Sequence, residues 1–446
     1  MCNDWGHLMK DAKSTSRKVV LAAFLACFCL FGFRSTFSIL QVPMGKDLGW
    51  TGSQLSLGYS LMMMVYAVTA FFAGKIVDKS GCRPVYFAGA VFCCLGMVAT
   101  SFIDNIYLYF FTYGVFAGIG TGMLWVSSTT SCRKWFVGDR YSTAWGIAFA
   151  GAPIAQVLLT LFMKPFLAQN ASAWRTVMLI MGFVFLALLS VSALVAQRNP
   201  NDLGLEPFGK LPQKKAVKAH DFTVAEAFHT RAMWCDIFAF LFAMLGEFLI
   251  WSQIVKYWTV NLSMDLGTAS NMYIIIGVCG IFTMPLLGKV ADRLVKSRGN
   301  EPEARRIVLI AGPIVGAIGC VLLLMMKADQ LWLGALCCVL FACYWAVEPG
   351  GCAGYAGSVF GNKYFGKVWG FATLIVMFVG PATGSFMGGF LADVTGNYTA
   401  SVIFALCGFI LSALMALLLP KEVKVPTLDQ ETQAHYREQQ TIPSAL

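Results

Sequence analysis

The sequence GKIVDKSGCR, residues 74–83, ends one long apolar run and precedes the next. It places one carboxylate, Asp78, among bases and between two glycines. A related sequence, GKVADRLVKSRG at residues 288–299, follows an apolar run in the second half of the chain, with its glycine, lysine and aspartate in the same register. Such landmarks at matching places indicate an internal duplication.

Further paired features support the duplication. KWF at 134–136 corresponds to KYF at 363–365, and each leads into a Gly/Pro-rich apolar run, with GAP at 151–153 and GPATG at 380–384. A parallel repeat of two six-helix units, with the ligand site near the midplane between them, is one architecture of secondary transporters. We therefore expect two halves with the same number of helices.

Apolar residues dominate the 446-residue chain, in which 58% are hydrophobic and 13% charged, against about 25% charged in a typical soluble domain. A membrane-crossing helix needs roughly 20 apolar residues. The runs that qualify lie near residues 19–42, 55–74, 85–102, 106–131, 142–162, 174–195, 234–257, 269–290, 307–326, 331–355, 368–391 and 398–419. They predict an all-α integral membrane protein with twelve transmembrane helices in two six-helix bundles.

A polar, lysine-rich segment separates the sixth run from the seventh. Within it, Thr223 and Glu226 have the spacing of a capping box, which predicts a short surface helix leading into span seven. The predicted organisation is a cytosolic N-terminus (1–18), an N-terminal bundle (19–196), a cytosolic central loop (197–232), a C-terminal bundle (233–420) and a cytosolic C-terminal tail (421–446).

The net charge of +10 is distributed unevenly. If both termini are cytosolic, most of the 33 Lys and Arg residues fall in cytosolic segments, and the exceptions are Arg34, Lys46, Lys164, Arg175, Lys256 and Lys327. This asymmetry follows the positive-inside rule and indicates contact with the lipid bilayer. Because no basic motif with interleaved aromatic residues accompanies the charge, a nucleic-acid partner is disfavoured.

The fifteen cysteines and four histidines suggest neither a disulfide framework nor a metal site. The cysteines fall within predicted spans or on the cytosolic side, as small buried hydrophobic residues do, and the histidines lie outside the spans. We see no nucleotide-binding glycine loop and no nucleophile–base arrangement. We therefore expect no cofactor, no metal and no enzymatic activity.

The 74–83 sequence resembles the signature loop of the major facilitator superfamily, a pattern that is met here by Gly74, Asp78, Lys79, Gly81 and Arg83. The resemblance implies a twelve-helix secondary transporter that works by alternating access, with this loop as part of a cytosolic gate. It extends over essentially all of residues 15–420.

A narrower resemblance involves two other segments. GFRSTFSILQVPMGKDLGWTGSQLSLGYS (32–60) and RNPNDLGLEP (198–207) are similar to bacterial relatives of the monocarboxylate transporters and of the oxalate:formate antiporter. This similarity implies a carrier of small organic anions in a bacterial inner membrane, which we expect to be a monomer. Sequons on the predicted outer side leave a eukaryotic source open, at Asn170, Asn261 and Asn397.

The signature loop also has a physical interpretation. Asp78 can meet the positive N-terminus of a neighbouring helix or a basic side chain, and so form a cytosolic latch that breaks as the halves move. The alternative is a solvated turn with bases that extend to the membrane surface. Because Asp292 and Arg293 repeat the pattern, we favour the latch.

Three ionisable residues are predicted to lie deep within spans: Arg34, Glu247 and Glu348. Such a residue costs about 2.5–3.5 kcal/mol on insertion, and by default it faces the bundle interior with a functional role. Arg34 and Glu247 lie at comparable depths in equivalent spans and are expected to face each other. We interpret Asp236 as a charge near a helix N-terminus or the membrane interface.

Arg34 has two interpretations. Its guanidinium can receive the carboxylate of an organic anion, or it can be a permanent partner of Glu247 or Glu348. We favour the first, because the arginine matches the pattern in the bacterial relatives. Ser38, Gln41 and Trp251 are predicted to share this polar region.

The number of basic groups limits the substrate. The carboxylate transporters that the chain resembles use basic residues in spans eight and eleven, where this sequence has Met284 and Val376. A single carboxylate or a zwitterion therefore fits better than a dicarboxylate.

Glu348 precedes Pro349-Gly350-Gly351, which we expect to break span ten. A carboxyl group at such a place is suited to bind and release a proton, and Glu247 is the other candidate for proton coupling. The alternative is that each carboxylate neutralises Arg34 or caps a helix.

Aromatic residues complete the candidate site. Trp125 in span four and Trp345 in span ten occupy similar places in the two halves, and Phe33 and Trp251 are further candidates. Their rings can contact an apolar or cationic ligand body. The alternative is that they pack against other helices or lipid.

We therefore predict a secondary active transporter of a small organic anion of the monocarboxylate type, by symport with a proton or by antiport with a counter-substrate. One alternative keeps the fold but carries a zwitterionic or cationic amine, or exports a hydrophobic compound. A second alternative is a transporter-like sensor that binds its ligand without moving it.

Overall fold

The computed structural model describes residues 2–50, 52–167, 170, 172–209 and 220–424. Twelve helices in this part of the chain are long and apolar enough to cross a membrane, which confirms the predicted number of spans. In chain order, α1 to α12 are Cys2–Leu48, Gly52–Ser80, Arg83–Thr100, Ile106–Trp135, Gly138–Leu167, Ala173–Val195, Arg231–Asn261, Leu266–Arg298, Glu301–Met325, Leu331–Phe360, Phe365–Thr395 and Thr399–Leu417.

Three spans depart locally from α-helical geometry. α4 contains a π-helical stretch at Phe110–Phe116, and α7 ends in another at Tyr257–Asn261. α5 begins with a 3-10 turn at Gly138–Arg140 and continues as the helices Tyr141–Phe149 and Gly151–Leu167. Many large apolar side chains remain exposed on the outer surface, including Phe282, Phe386 and Trp332, as expected for a multi-pass membrane protein surrounded by lipid.

The first six spans meet the last six along two main helix pairs, α2 with α11 and α5 with α8. Glycine permits the close approach in both pairs. A Cβ atom on Gly74 of α2 would collide with the carbonyl of Gly366 on α11, and one on Gly146 of α5 would collide with the carbonyl of Met284 on α8.

The predicted break in span ten is wrong, because α10 is one helix from Leu331 to Phe360 and passes through Pro349-Gly350-Gly351. The two glycines serve close packing instead. A Cβ atom on Gly350 would collide with the Trp145 indole, and one on Gly351 would lie 2.8 Å from Leu309 Cδ2.

The central loop is attached to the end of the bundle at which α1 begins and α12 ends, which we call the terminal face. Near its start, Val137 N donates to Phe208 O (2.8 Å) and Phe208 N donates to Trp135 O (2.7 Å). Near its end, Asp221 Oδ1 accepts from the backbone N atoms of Asn362 (3.0 Å) and Lys363 (3.1 Å). The loop therefore contacts the α4–α5 and α10–α11 connections.

The short helix Val224–Phe228 precedes α7 and has a capping box formed by Thr223 and Glu226. Burial acts to raise the pKa of Glu226, but hydrogen bonds from Thr223 and from His220 outweigh it and hold this pKa below its usual value. The Glu226 carboxylate therefore remains charged at the helix N-terminus, where it is favourable.

Candidate functional site

Arg34 lies on α1 at the boundary between the two halves, with 9% of its surface exposed. Its guanidinium carbon lies 4.8 Å from the ring centroid of Tyr66 on α2 and 5.1 Å from that of Phe31. It also lies 5.7 Å from the ring centroid of Phe248 on α7. Because Phe248 belongs to the second half, both halves enclose the arginine.

Several polar atoms of Arg34 and of its neighbour Tyr66 have no hydrogen-bond partner among the described residues. Arg34 Nε and Nη2 are buried without a hydrogen-bond partner among the described residues, and so is the hydroxyl of Tyr66. Buried polar atoms are normally paired, and each unpaired one costs about 1–3 kcal/mol, or more when charged. This part of the interface therefore favours a group that accepts hydrogen bonds.

Glu247 is the neighbour of Phe248 on α7, and it is buried with Oε2 unpaired among the described residues. Its charge interacts with that of Arg34, as expected from their matching depths. However, the two side chains form no ion pair in the described structure. The permanent salt bridge considered above is therefore not made in this conformation.

An aromatic cluster lies beside Arg34 and spans the two halves. Its members are Phe31, Trp125, Trp145, Phe149, Trp251 and Trp345, and the centroid distances between its contacting rings run from 5.2 to 6.3 Å. Trp125 of α4 and Trp345 of α10, the two predicted counterparts, both contact Phe31 and Phe149. Three of the indole nitrogens, those of Trp125, Trp145 and Trp345, have no partner among the described residues.

The other predicted binding residues are Phe33, Trp251, Ser38 and Gln41, and only Trp251 belongs to the aromatic cluster among those whose side chains are described. Phe33 lies outside the aromatic cluster and packs against Tyr113 at 5.1 Å between ring centroids. Trp251 is half-buried and lies 5.5 Å from Trp345. Ser38 and Gln41 are on α1, but their side chains are outside those that the structure describes.

Sequence reasoning missed Phe31, Tyr66 and Phe149 as neighbours of the site. Phe31 precedes Arg34 by three residues, so helical spacing could have placed it on the same face. The sequence contains no comparable signal for Tyr66. Its position follows from the close packing of α2 on α4, where a Cβ atom on Gly122 would lie 2.6 Å from the carbonyl oxygen of Tyr66.

Glu348 on α10 has no exposed surface. Its Oε1 accepts from Ser412 Oγ (3.5 Å) and Cys352 Sγ (3.9 Å), while Oε2 has no partner among the described residues. Asp236 lies in the second turn of α7, near the helix N-terminus. It is 1% exposed, however, and is therefore not an interfacial charge, and its Oδ1 is unpaired among the described residues.

On the terminal face, Asp78 contacts the second half. Its Oδ1 lies 2.6 Å from Lys134 Nζ and accepts from Gly366 N (3.1 Å), while Oδ2 accepts from Lys367 N (2.7 Å). The carboxylate therefore caps the N-terminus of α11, where a negative charge is favourable.

Asp292 makes the equivalent contact in the opposite direction. Its Oδ1 accepts from Ser142 N (2.9 Å) and its Oδ2 from Thr143 N (2.6 Å), so this α8 carboxylate caps the helix Tyr141–Phe149 of α5. The two carboxylates thus connect the halves in both directions. We call these two contacts the carboxylate latches.

A buried charge network that sequence reasoning missed adds to the latches. Arg133 Nη1 on α4 lies 2.6 Å from Glu301 Oε1 on α9, and Arg305 contacts Glu301 (3.2 Å) and Asp292 (3.6 Å). Arg305 also donates to the carbonyl of Gly138 (2.9 Å) on α5 and to the hydroxyl of Ser142. These contacts close the terminal face between the halves.

The remaining residues of the signature pattern and of its repeat take no part in the carboxylate latches. Gly81 has a φ of +76° at the α2–α3 turn, a conformation that favours glycine. Arg83 donates to the carbonyls of Ala193 (3.2 Å) and Leu194 (3.2 Å) near the end of α6, within its own half. Lys79 and Arg293 are exposed.

The described residues include no group of acidic, histidine or cysteine side chains suited to hold a metal ion.

The family model described as Major Facilitator Superfamily matches residues 22–381, and the chain therefore belongs to that superfamily. Human monocarboxylate transporter 2 is 23% identical over 446 residues, which cover 96% of this chain and 89% of that protein. Human monocarboxylate transporter 14 is 28% identical over 198 residues, which cover 44% of this chain and only 38% of that protein.

A solved structure shares the fold. The structure of the proton:xylose symporter XylE bound to 6-bromo-6-deoxy-D-glucose superimposes with a TM-score of 0.68 at 16% identity, and the match covers 92% of this chain and 98% of that chain. Both the family and the fold are those of transporters rather than enzymes.

Proposed function

We propose that this transporter moves a small organic anion with a single carboxylate by alternating access, coupled to a proton or to a counter-substrate. The observation that carries the proposal is Arg34 between the halves with Nε and Nη2 unpaired among the described residues. These two atoms form one edge of the guanidinium, and their parallel N–H groups match the two oxygens of a carboxylate.

The rest of the site favours one carboxylate over two. Met284 and Val376, at the places where the carboxylate transporters that the chain resembles have basic residues, are fully buried apolar side chains. Glu247 on α7 is an acidic group whose charge interacts with that of Arg34, so a second carboxylate close to it would be repelled.

The aromatic cluster supports an apolar body for the substrate. Trp345 contributes a ring from the second half, and it contacts Phe31, Phe149 and Trp251. A ligand bound at Arg34 can place its carbon skeleton against these rings when the halves separate around it.

Replacing Trp345 by alanine is expected to raise the substrate concentration for half-maximal uptake about 2- to 10-fold, because a lost ring contact is worth about 0.5–1.5 kcal/mol. Trp332→Ala is the matched control, since Trp332 lies on the same helix but is 67% exposed. Uptake kinetics in proteoliposomes measure both variants. Equal kinetics for the two would contradict a role for Trp345 in binding.

The terminal face supports the alternating-access part of the proposal. The carboxylate latches and the Arg133–Glu301–Arg305 network join the halves there, so these contacts have to break before a ligand can leave on that side. We propose that the terminal face is cytosolic, as the positive-inside rule predicts, and that the protein is a monomer in a bacterial inner membrane.

A second candidate substrate is a cationic or zwitterionic amine. The observation that favours it is the buried acidic set Asp236, Glu247 and Glu348 in the second half, together with rings that can contact a cation. Arg34 at the centre opposes it, because a cationic group there would meet a buried positive charge.

Thermal stabilisation of the purified protein separates these candidates. Monocarboxylates, dicarboxylates and quaternary amines are compared as ligands, since a ligand that binds only the folded state raises the melting temperature. The proposal expects stabilisation by monocarboxylates alone, and stabilisation by amines alone would overturn it. Uptake of the stabilising compound into proteoliposomes then distinguishes a transporter from a binding sensor.

A further inference from the structure

The aromatic cluster joins the two halves through Trp345. Among the described rings of the cluster, it is the one from the second half that contacts the first half. Its centroid lies 5.8 Å from that of Phe31 on α1 and 5.7 Å from that of Phe149 on α5, at interplanar angles of 64° and 75°. Such edge-to-face contacts are attractive beyond the apolar area that they bury. A ligand that separates the halves at this level has to break both contacts.

These contacts lie one ring away from the proposed carboxylate site. The guanidinium carbon of Arg34 is 5.1 Å from the ring centroid of Phe31, and Phe31 in turn contacts Trp345. A ligand whose carboxylate binds Arg34 therefore reaches Trp345 with a body about as long as one six-membered ring.

The ring contacts favour an aromatic ligand over a saturated one. A flat ring inserted at this level can contact Trp345 on one side and Phe31 with Phe149 on the other, and so restores the interactions that its entry breaks. A saturated body of the same size restores the buried apolar area but not the interaction between π-systems. The cluster therefore distinguishes ligands by aromaticity as well as by size.

Buried indole nitrogens of the cluster lack partners. The N–H groups of Trp125, Trp145 and Trp345 have no hydrogen-bond partner in the part of the chain that the structure describes. Trp145 borders a cavity of about 20 Å³, which has room for one water molecule. Trp258 and Trp369 also have unpaired indole nitrogens, but their rings lie outside the cluster. Trp345 is therefore the unpaired indole donor of the cluster whose ring contacts rings of the other half.

The polar atoms of the cluster limit the groups that a ligand can place there. All its members are phenylalanines and tryptophans, and an indole N–H donates a hydrogen bond but cannot accept one. A ligand group gains a hydrogen bond there only if it contains an acceptor, such as an ether, carbonyl or hydroxyl oxygen. An ammonium group would leave its own N–H groups unpaired, and an unpaired buried donor is costly.

We propose that the substrate is an aromatic monocarboxylate with an oxygen substituent on its ring. This inference rests on the proposed function, and it names the substrate class of the same site. The carboxylate binds Arg34, and the ring lies between Trp345 and the two phenylalanines of the first half. The ring oxygen accepts the indole N–H of Trp345. The ligand thus replaces the ring contacts that join the halves in its absence.

A set of matched ligands separates the two parts of this inference. Cyclohexylacetate and phenylacetate differ in aromaticity, while para-ethylphenylacetate and para-methoxyphenylacetate have nearly the same shape and differ in the ether oxygen. Isothermal titration calorimetry of the purified protein gives the Kd of each ligand.

Phenylacetate is expected to bind at least about 5-fold more tightly than cyclohexylacetate, because it restores two ring contacts. A site that recognised apolar area alone would not prefer phenylacetate, because the saturated ring buries at least as much apolar surface. The para-methoxy compound is expected to bind about 2- to 10-fold more tightly than the para-ethyl compound, through one added hydrogen bond.

A substitution at Trp345 tests the hydrogen bond by itself. Trp345→Phe keeps a ring at this position but removes the hydrogen-bond donor. We expect the advantage of the para-methoxy compound to disappear, while phenylacetate remains preferred over cyclohexylacetate. A merely structural role for the indole would change all four affinities alike. Trp332→Phe is the matched control and should retain both preferences, because Trp332 lies on the same helix and is 67% exposed.

The outcomes distinguish this inference from the proposed function. If cyclohexylacetate binds as tightly as phenylacetate, or if only short aliphatic monocarboxylates such as propionate bind, the aromatic assignment is overturned and the monocarboxylate proposal stands. If the para-methoxy advantage is absent from the unaltered protein or persists in Trp345→Phe, the hydrogen bond to Trp345 is overturned. If no monocarboxylate binds, the proposed function fails and this inference fails with it.

Discussion

Replacing Arg34 by glutamine is expected to reduce substrate affinity at least about 100-fold. The substitution removes two charge-assisted hydrogen bonds to the carboxylate, each worth about 1.5–3 kcal/mol, and 1.4 kcal/mol corresponds to a factor of 10. Arg34→Lys retains the charge but not the planar edge formed by Nε and Nη2, so an intermediate loss of about 10-fold is expected. Exchange in proteoliposomes measures all three proteins.

A double substitution separates the two interpretations of Arg34. If the arginine served only to neutralise Glu247, Arg34→Gln combined with Glu247→Gln would restore activity, because no unpaired charge would remain buried. If Arg34 binds the substrate, the double variant stays as inactive as Arg34→Gln. Recovery of exchange in the double variant would contradict the binding role.

Replacing Asp78 by asparagine is expected to open the terminal face. An asparagine has one carbonyl oxygen and an amide that donates hydrogen bonds, so it cannot serve Lys134, Gly366 N and Lys367 N together. The change also leaves Lys134 buried without its acid, and breaking such a pair costs about 3–5 kcal/mol. The closed terminal face should therefore become much less populated.

Hydrogen–deuterium exchange measures this opening at the capped amides. Gly366 and Lys367 are expected to exchange about 10- to 100-fold faster in Asp78→Asn, and Ser142 and Thr143 to do the same in Asp292→Asn. The adjacent residues provide matched controls, because Lys79 and Arg293 are exposed. Faster exchange in Lys79→Gln or Arg293→Gln to the same extent would show that the signature loop acts through its general charge rather than through the carboxylate latches.

The sequence predicted those parts of the molecule that depend on strong local signals. Twelve long apolar runs specified the spans, because lipid leaves helices as the available structure for them. The repeated Gly-Lys-Asp pattern predicted that Asp78 meets a helix N-terminus, and the helix is α11 of the other half. Their comparable depths in equivalent spans predicted that Arg34 and Glu247 lie near each other. Spacing along the chain could not show that the two side chains form no ion pair in the described structure.

The errors arose where packing between distant segments decides the structure. Proline and glycines at 349–351 predicted a break, yet α10 continues through them. The two glycines instead leave room for the side chains of Trp145 and Leu309 on neighbouring helices. Asp236 does lie near the start of α7, but the sequence could not show that the fold buries it there. The Arg133–Glu301–Arg305 network joins segments far apart in the chain, and no periodic pattern connects them.

The central claim is that the carboxylate of the substrate binds to Arg34 between the two halves. A structure of the protein with its stabilising carboxylate tests it most directly. The proposal predicts the two carboxylate oxygens about 2.7–2.9 Å from Nε and Nη2 of Arg34, with the body of the ligand against Trp345. A carboxylate bound elsewhere, with Arg34 in an ion pair with Glu247, would contradict it.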